Sequence, residues 1–243
     1  MDFFQLIKAS CEDLGMEITE RQYEQFVLYM KHLQEWNEKI NLTSIIEDEL
    51  IFKKHFIDCI KVFKFEQLLK SKNSNISVID IGTGAGFPGI PMKIMEPNLK
   101  VTLLDSLNKR VNFLNSTISL LELDGIEAVH GRAEDFARNI GFRQKFDYAV
   151  SRAVASLPVL SEFSLPYVKV GGYFIALKGP AVEEEISNAK NAINLLGGKI
   201  EEIIAVDIED TDLKHNIVVI RKEKSTPSAY PRKAGLINKN PLK

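Results

Sequence analysis

Ser77-Val78-Ile79-Asp80-Ile81-Gly82-Thr83-Gly84-Ala85-Gly86-Phe87-Pro88-Gly89-Ile90-Pro91 decides how this chain is read. Val78-Ile79-Asp80-Ile81 is a short apolar run of strand character. It feeds directly into Gly82, Gly84, Gly86 and Gly89. Glycine tolerates positive φ and lets bare backbone come close to a ligand. Ile90 to Met95 then opens as a helix, whose free N–H groups and dipole favour polar or anionic ligand groups. Strand, glycine turn and helix together predict a nucleotide-type pocket. Gly84-Ala85-Gly86-Phe87-Pro88-Gly89 formally matches the dinucleotide pattern G-x-G-x-x-G. The plainer alternative is a turn that needs glycine for its geometry alone.

Downstream, strands and helices alternate. Val101 to Leu104 reads as a strand ending in Asp105, and Lys109 to Leu121 as a helix with Val111, Leu114, Ile118 and Leu121 on one face. Ile126 to His130 is a third strand, Glu134 to Asn139 a short helix and Phe146 to Val150 a fourth strand. An apolar helix follows around Leu157 to Tyr167. Gly171-Gly172 punctuates a fifth strand at Tyr173 to Leu177, and Val182 to Leu196 is a helix stopped by Gly197-Gly198. Lys199 to Val206 and Asn216 to Arg221 are strands with no room for a helix between them, so they must pair antiparallel.

Upstream, the chain reads as helical. Thr19 with Gln22 forms a capping box before Tyr23, Phe26, Val27, Met30 and Leu33. Asn41-Leu42-Thr43 breaks that helix, and Ile51 to Phe63 carries a further helical stripe. The expected fold is α/β: a doubly wound, seven-stranded, mostly parallel, Rossmann-like sheet with an antiparallel last strand and a helical N-terminal cap. The expected divisions are 1–72 for the cap, 73–223 for the sheet domain and 224–243 for a basic C-terminal tail.

An apolar share of 45% and a charged share of 26% describe an ordinary soluble globular protein. There is no signal-peptide pattern and no apolar run of membrane-spanning length, so a cytoplasmic protein is expected. Cys11 and Cys59 lie far apart and read as reduced thiols. His32, His55, His130 and His215 lack ligand spacing, so no metal site is expected. The net charge of −2 hides an asymmetry: after Val219 come Arg221, Lys222, Lys224, Arg232, Lys233, Lys239 and Lys243 against Glu223 alone. That is a localised electrostatic footprint for a polyanion. Nothing in the sequence demands a dimer, and a monomer is expected.

Two carboxylates sharpen the pocket. Asp105 ends the second strand, at the spacing where an acid binds ribose hydroxyls. Asp80 lies inside the first strand, where a buried acid needs partners. It either caps backbone N–H groups of its own turn or organises the turn around a cationic ligand.

Asp80-Ile81-Gly82-Thr83-Gly84-Ala85-Gly86 resembles motif I of class I S-adenosylmethionine-dependent methyltransferases. Trp36-Asn37, Asn41-Leu42-Thr43, His55 with Asp58, Gly84 to Gly89, Gly131-Arg132-Ala133-Glu134, Ser151-Arg152-Ala153 and Tyr230-Pro231-Arg232-Lys233-Ala234-Gly235 together resemble the ribosomal RNA small-subunit methyltransferase G family. The resemblance spans nearly the whole chain. It implies methyl transfer from S-adenosylmethionine to N7 of a guanosine in 16S rRNA, with the rRNA or the 30S subunit as partner. It implies that Gly82 and Phe87 lie against the methionine and sulfonium part of the cofactor, with Asp80, Gly84 and Gly86 also in the cofactor site. Asp105, with Ser106 beside it, would hold the ribose, Ala133 and Glu134 the adenine, and Arg152 the pocket mouth.

Guanine N7 carries an in-plane lone pair and no proton, so no general base is required and none is expected. Arg152, Lys178, Arg232 and Lys233 are the cations expected around RNA phosphates, with Tyr230 beside the last two as a stacking aromatic. A solvated basic face is the competing account. His55 and Asp58, three apart on a helix, either pair with each other or face the substrate. Two other function classes compete: an NAD-dependent oxidoreductase, from the glycine pattern, and a non-catalytic RNA-binding assembly factor.

Overall fold

The computed structural model describes residues 2–70, 76–208, 211 and 214–242. The expected boundary between 72 and 73 and the end of the tail at Lys243 lie outside the described residues.

Helix α1 (Phe3–Glu12) starts where the Asp2 side chain accepts from the Phe4 N–H at 3.0 Å. Helix α2 (Glu20–Ile40) carries the expected capping box. The Thr19 N–H donates to Gln22 Oε1 at 2.9 Å and the Gln22 N–H to Thr19 Oγ1 at 3.2 Å. It ends at Asn41, whose φ of 49° is left-handed. The next helical run is continuous but mixed: α3 (Asp48–Ile51), a π-helical turn (Phe52–Ile57), α4 (Asp58–Ile60) and a 3₁₀ turn (Lys61–Lys64). Helix α5 (Gln67–Lys70) closes this part of the chain.

Strands β1 (Ser77–Ile81), β2 (Lys100–Asp105), β3 (Ile126–His130), β4 (Phe146–Arg152), β5 (Val168–Lys178), β6 (Gly198–Asp207) and β7 (Lys214–Lys222) build one sheet in the order β3-β2-β1-β4-β5-β7-β6. β7 runs antiparallel between β5 and β6. Between the parallel strands lie α6 (Gly89–Met95), α7 (Asn108–Leu120), α8 (Ala133–Phe136), α9 (Leu157–Ser164) and α10 (Val182–Leu195); α11 (Ala234–Lys239) comes last.

β5 begins earlier than the sequence suggests. Gly171, at φ +92°, and Gly172 do not end the previous element; they bend the strand within itself, and the β4–β5 register shifts between Phe146 and Tyr148. At the end of α10 the expected role of glycine is met: Gly197 follows the last turn at φ +85°.

Alternating strand residues feed two cores. Val78, Ile175 and Leu177 pack on the face covered by α1, α2, α6 and α7, while Ile79, Phe174 and Ala176 pack on the face covered by α8 to α11. The N-terminal helices share the first core with the sheet instead of forming a separate one. Phe26, Leu33 and Phe56 are 0% exposed there, and each such side chain contributes about 1.5–3 kcal/mol by its burial. Trp36 packs edge-on against Phe113, with ring centroids 5.7 Å apart.

Residues 224–242 are not a free tail. Ile237 is fully buried in the second core, and Arg143 donates to the carbonyls of Thr226, Pro227 and Tyr230. Lys222, also fully buried, donates to the carbonyls of Leu165 and Leu196 and to the Thr226 hydroxyl. Side-chain donors of Arg143 and Lys222 thus tie the last segment to the rest of the fold.

Candidate functional site

In open α/β sheets a ligand crevice forms beyond the carboxyl ends of strands, where the strand order reverses. Here that point lies between β1 and β4. The loops after β1, β2 and β4 enclose a cavity of about 430 Å³, within the range of small-molecule sites.

The glycine loop forms its floor. Gly82 and Thr83 donate to the Leu104 carbonyl at 2.9 and 3.2 Å, which ties the loop to β2. Gly82, Gly84 and Gly86 adopt φ of +68°, +63° and +97°. They differ in surroundings. A Cβ on Gly84 would meet only the Gly82 carbonyl, at 4.0 Å, whereas one on Gly86 would lie 2.5 Å from Ile90 Cδ1 and 2.7 Å from the Tyr29 hydroxyl. The open side of Gly84 therefore faces the cavity, while that of Gly86 faces the packed Ile90 and Tyr29. Left-handed geometry costs a non-glycine residue roughly 1–2 kcal/mol. Gly84→Ala is expected to fold with about that loss while weakening ligand binding, and Gly86→Ala to lose a further ~1–3 kcal/mol through overpacking. Denaturant melts beside ligand calorimetry separate the two.

Asp80 does not line the cavity. Its Oδ2 accepts from the Thr83 hydroxyl at 2.7 Å and the Gly89 N–H at 2.8 Å. Of its two readings, turn capping is the one the geometry carries. Burial pushes its carboxyl up to about 7 against those hydrogen bonds, and its Oδ1 has no partner among the described residues.

Asp105 is almost fully buried at the cavity wall. Its Oδ2 accepts from the Gly84 N–H at 3.0 Å and pairs with Arg110 at 3.4 Å; its Oδ1 accepts from the Leu107 N–H at 2.9 Å. Ser106 lines the cavity beside it. Ala133 and Glu134 are not part of this lining. They sit at the start of α8 past β3, where the Tyr167 hydroxyl donates to the Ala133 carbonyl at 2.6 Å.

Arg152 closes the far side. Its Nη1 donates to the Lys54 carbonyl at 2.9 Å and to Asp58 Oδ2 at 3.0 Å, and its Nη2 to His55 Nδ1 at 3.1 Å. Its guanidinium stands 4.7 Å from the Phe87 ring centroid. The π-helical turn makes this possible. The Asp58 N–H donates to the carbonyls of Lys53 and His55, which leaves the Lys54 carbonyl to accept from Arg152. His55 stacks on Phe87 at 4.7 Å and contacts Thr43 Oγ1 at 2.8 Å. Burial, with Arg152 beside it, lowers its pKa to about 3, so the ring is neutral; its Nδ1 also lies 3.2 Å from the Lys54 carbonyl.

His55 and Asp58 do not pair with each other. Asp58 Oδ1 instead meets His215 Nδ1 at 2.6 Å, across from β7. That hydrogen bond raises the His215 pKa above its ordinary value. A raised base contributes stability that is present below the unfolded pKa of about 6.5 and lost as pH rises through the folded value. The stability gap between wild type and His215→Asn is therefore expected to be larger at about pH 5.5 than at about pH 9, measured by urea melts.

Three of the four expected RNA-facing cations are already engaged. Arg152 is held as described. Lys178 pairs with Glu185 at 2.7 Å and donates to the Ala155 carbonyl at 2.9 Å. Arg232 grips Glu162 through Nε and Nη2, the latter at 2.7 Å, and Glu162 is 0% exposed. Arg232 thus has a structural duty, because a buried carboxylate demands its cation. Lys233 is exposed. Among the described residues no cluster fit to hold a metal ion occurs, and no helix is long and apolar enough to cross a membrane.

Sequence reasoning missed Arg110, Thr43 and Val154 in the cavity lining. Arg110 follows Asp105 by a turn of helix and was findable. Val154 was not: its side chain reaches Gly82 only because β4 and β1 are neighbours.

A family model described as rRNA small subunit methyltransferase G matches residues 22–215. Among curated relatives, the ribosomal RNA small subunit methyltransferase G of Clostridium botulinum (strain Loch Maree / Type A3) is 59% identical over 243 residues, covering 100% of both chains. The protein of the same name from Clostridium tetani is 56% identical, again over 100% of both. Among solved structures, a mutant of MtNAS in complex with S-adenosylmethionine superposes with a TM-score of 0.56 at 15% identity, over 82% of this chain and 73% of that one. M. jannaschii TYW2 in complex with AdoMet gives 0.51 at 15% identity, over 67% and 76%. These structural likenesses establish the fold, a seven-stranded, mostly parallel α/β sheet, and the sequence matches establish more: the chain belongs to the ribosomal RNA small subunit methyltransferase G family.

Proposed function

We propose that this protein transfers the methyl group of S-adenosylmethionine to N7 of one guanosine in 16S rRNA, acting in the cytoplasm as a monomer on the rRNA or the 30S particle. The observation that carries the reading is the full-length match at 59% identity to a protein named as a ribosomal RNA small subunit methyltransferase; guanine N7 as the acceptor atom rests on the family resemblance of the motifs. The cavity supports it. A glycine loop open at Gly84, a buried carboxylate at Asp105 and an aromatic wall at Phe87 fit a nucleoside bearing a sulfonium. The strand order, with β7 inserted antiparallel, speaks against the oxidoreductase alternative.

Bound there, S-adenosylmethionine supplies an electrophilic methyl group. Asp105 and Ser106 would hold its ribose, and Gly82, Gly84 and Phe87 its methionine end. The chain's own contribution is positional. The acceptor N7 has a free lone pair, so no residue need remove a proton. Arg152, fixed by four residues, and the neutral His55 form a rigid wall beside the reacting centre. Such alignment of two reactants supplies roughly 7–11 kcal/mol of the barrier reduction.

Transfer of label from tritiated S-adenosylmethionine to naked 16S rRNA or to 30S particles, with the modified base mapped, tests the reading. Label at guanine N7 is the expected result. RNA binding without any label would replace it with the assembly-factor account.

A further inference from the structure

A second cavity of about 300 Å³ adjoins the first at Arg152. It shares His55, Arg152 and Ala153 with the larger one, and its remaining wall includes Lys54, Asp58, Lys178 and His215. Arg152 therefore borders both spaces.

The guanidinium has five N–H donors. Two on Nη1 and one on Nη2 are taken by Lys54, Asp58 and His55. The Nε–H and one Nη2–H have no partner among the described residues. Arg152 is only 14% exposed at its side chain, yet its Nε is not among the buried nitrogens and oxygens without a partner, so that donor reaches accessible space. Its plane is fixed by Phe87 and its outer edge by Asp58, so the spare donors keep one direction.

We propose that the smaller cavity receives the acceptor guanine and that the spare donors of Arg152 read its O6. This inference rests on the reading that guanine N7 is methylated. Arginine ordinarily grips guanine through O6 and N7 together. A methyltransferase for N7 must leave that lone pair open, and an arginine with most of its donors already committed serves O6 without covering N7. Adenine carries an amino group where guanine carries O6, so the same donors would face a donor and reject it. During transfer the N7 lone pair forms the new C–N bond and the S–C bond pair stays on sulfur. The positive charge moves from the larger cavity to the base in the smaller one, next to the Asp58 carboxylate.

The test places guanosine, inosine, 6-thioguanosine or 2-aminopurine riboside at the mapped position of 16S rRNA and compares kcat/KM for labelled transfer. Inosine lacks only the 2-amino group and is expected within a few-fold of guanosine. 2-Aminopurine lacks O6 and is expected to fall by about 10- to 150-fold, the worth of a hydrogen bond from a charged donor. In Arg152→Lys the guanosine-to-2-aminopurine ratio is expected to shrink toward that of the free bases, and taking the ratio cancels any change in cofactor affinity. If Arg152→Lys fails to fold, 6-thioguanosine with wild type decides, since sulfur keeps N7 but accepts weakly; an intermediate rate is expected. Equal rates for guanosine and 2-aminopurine in wild type, or the same ratio in the variant, overturn the inference while leaving N7 methylation standing. No label on guanosine itself overturns the functional reading and this inference with it.

Discussion

Arg232→Ala is expected to lower the thermal midpoint by roughly 6–12 °C while leaving cofactor affinity unchanged. Glu162 is 0% exposed, on a helix whose every residue is buried. Its carboxylate oxygens accept from Arg232 Nε at 2.9 and 3.1 Å and from Nη2 at 2.7 Å. The Arg232 backbone N–H adds a fourth bond at 2.7 Å. Truncating the arginine removes the charge and leaves one backbone donor on a buried carboxylate, a loss of about 3 kcal/mol at the low end for broken buried pairs. For a domain of this size each kcal/mol moves the midpoint by about 2–4 °C. Glu162→Gln with Arg232→Met should recover most of the loss, because a buried pair can be replaced by groups of similar shape. Calorimetric melts of the three variants decide it. A midpoint within about 1 °C of wild type in Arg232→Ala, with RNA affinity reduced, would return Arg232 to the phosphate-binding role that its sequence context suggested.

That example marks where sequence reading stops. The positions of all seven strands follow from apolar runs bounded by glycine and polar turns, and the antiparallel finish follows from the short link between the last two. These are local signals. Asp80 and Asp105 were legible for the same reason: one carboxylate lies inside an apolar run and the other ends one, where burial makes each costly unless it has work to do. The charges of Arg232, Lys222 and Arg143 carry no such mark. A basic segment reads as solvated when its acceptors are main-chain carbonyls and a glutamate some 70 positions earlier. His55 and Asp58 look like a helical pair in sequence. The π-helical turn sends them to separate partners, and nothing in Phe52 to Ile57 announces that turn. Contacts made by strands that are neighbours in space but distant in the chain, such as Asp58 with His215, belong to the topology rather than to any motif.

Asp105→Ala is expected to weaken S-adenosylmethionine binding by more than the ribose contact alone accounts for. A charged hydrogen bond to a ribose hydroxyl is worth about 1.5–3 kcal/mol, roughly 10- to 150-fold in affinity. The carboxylate also holds the pocket together. It accepts from the N–H of Gly84 and of Leu107 and pairs with Arg110. Alanine leaves both N–H groups without that acceptor, each at a cost of about 1–3 kcal/mol where water cannot replace it. The Gly84 N–H belongs to the floor of the cavity, so its release lets the glycine loop relax away from ligand-binding geometry. The affinity loss and a stability loss should therefore appear together. Asp105→Asn separates the two contributions. Its one amide oxygen can serve the Gly84 or the Leu107 N–H but cannot supply the charge, so it should recover part of the stability and little of the affinity. Cofactor calorimetry beside urea melts on both variants gives the answer. Affinity that stays near wild type in Asp105→Asn, with stability lost in Asp105→Ala, would mean that the carboxylate serves the loop and not the ribose. The ribose ligand would then have to be sought at Ser106 or Arg110, the polar side chains beside it in the same wall.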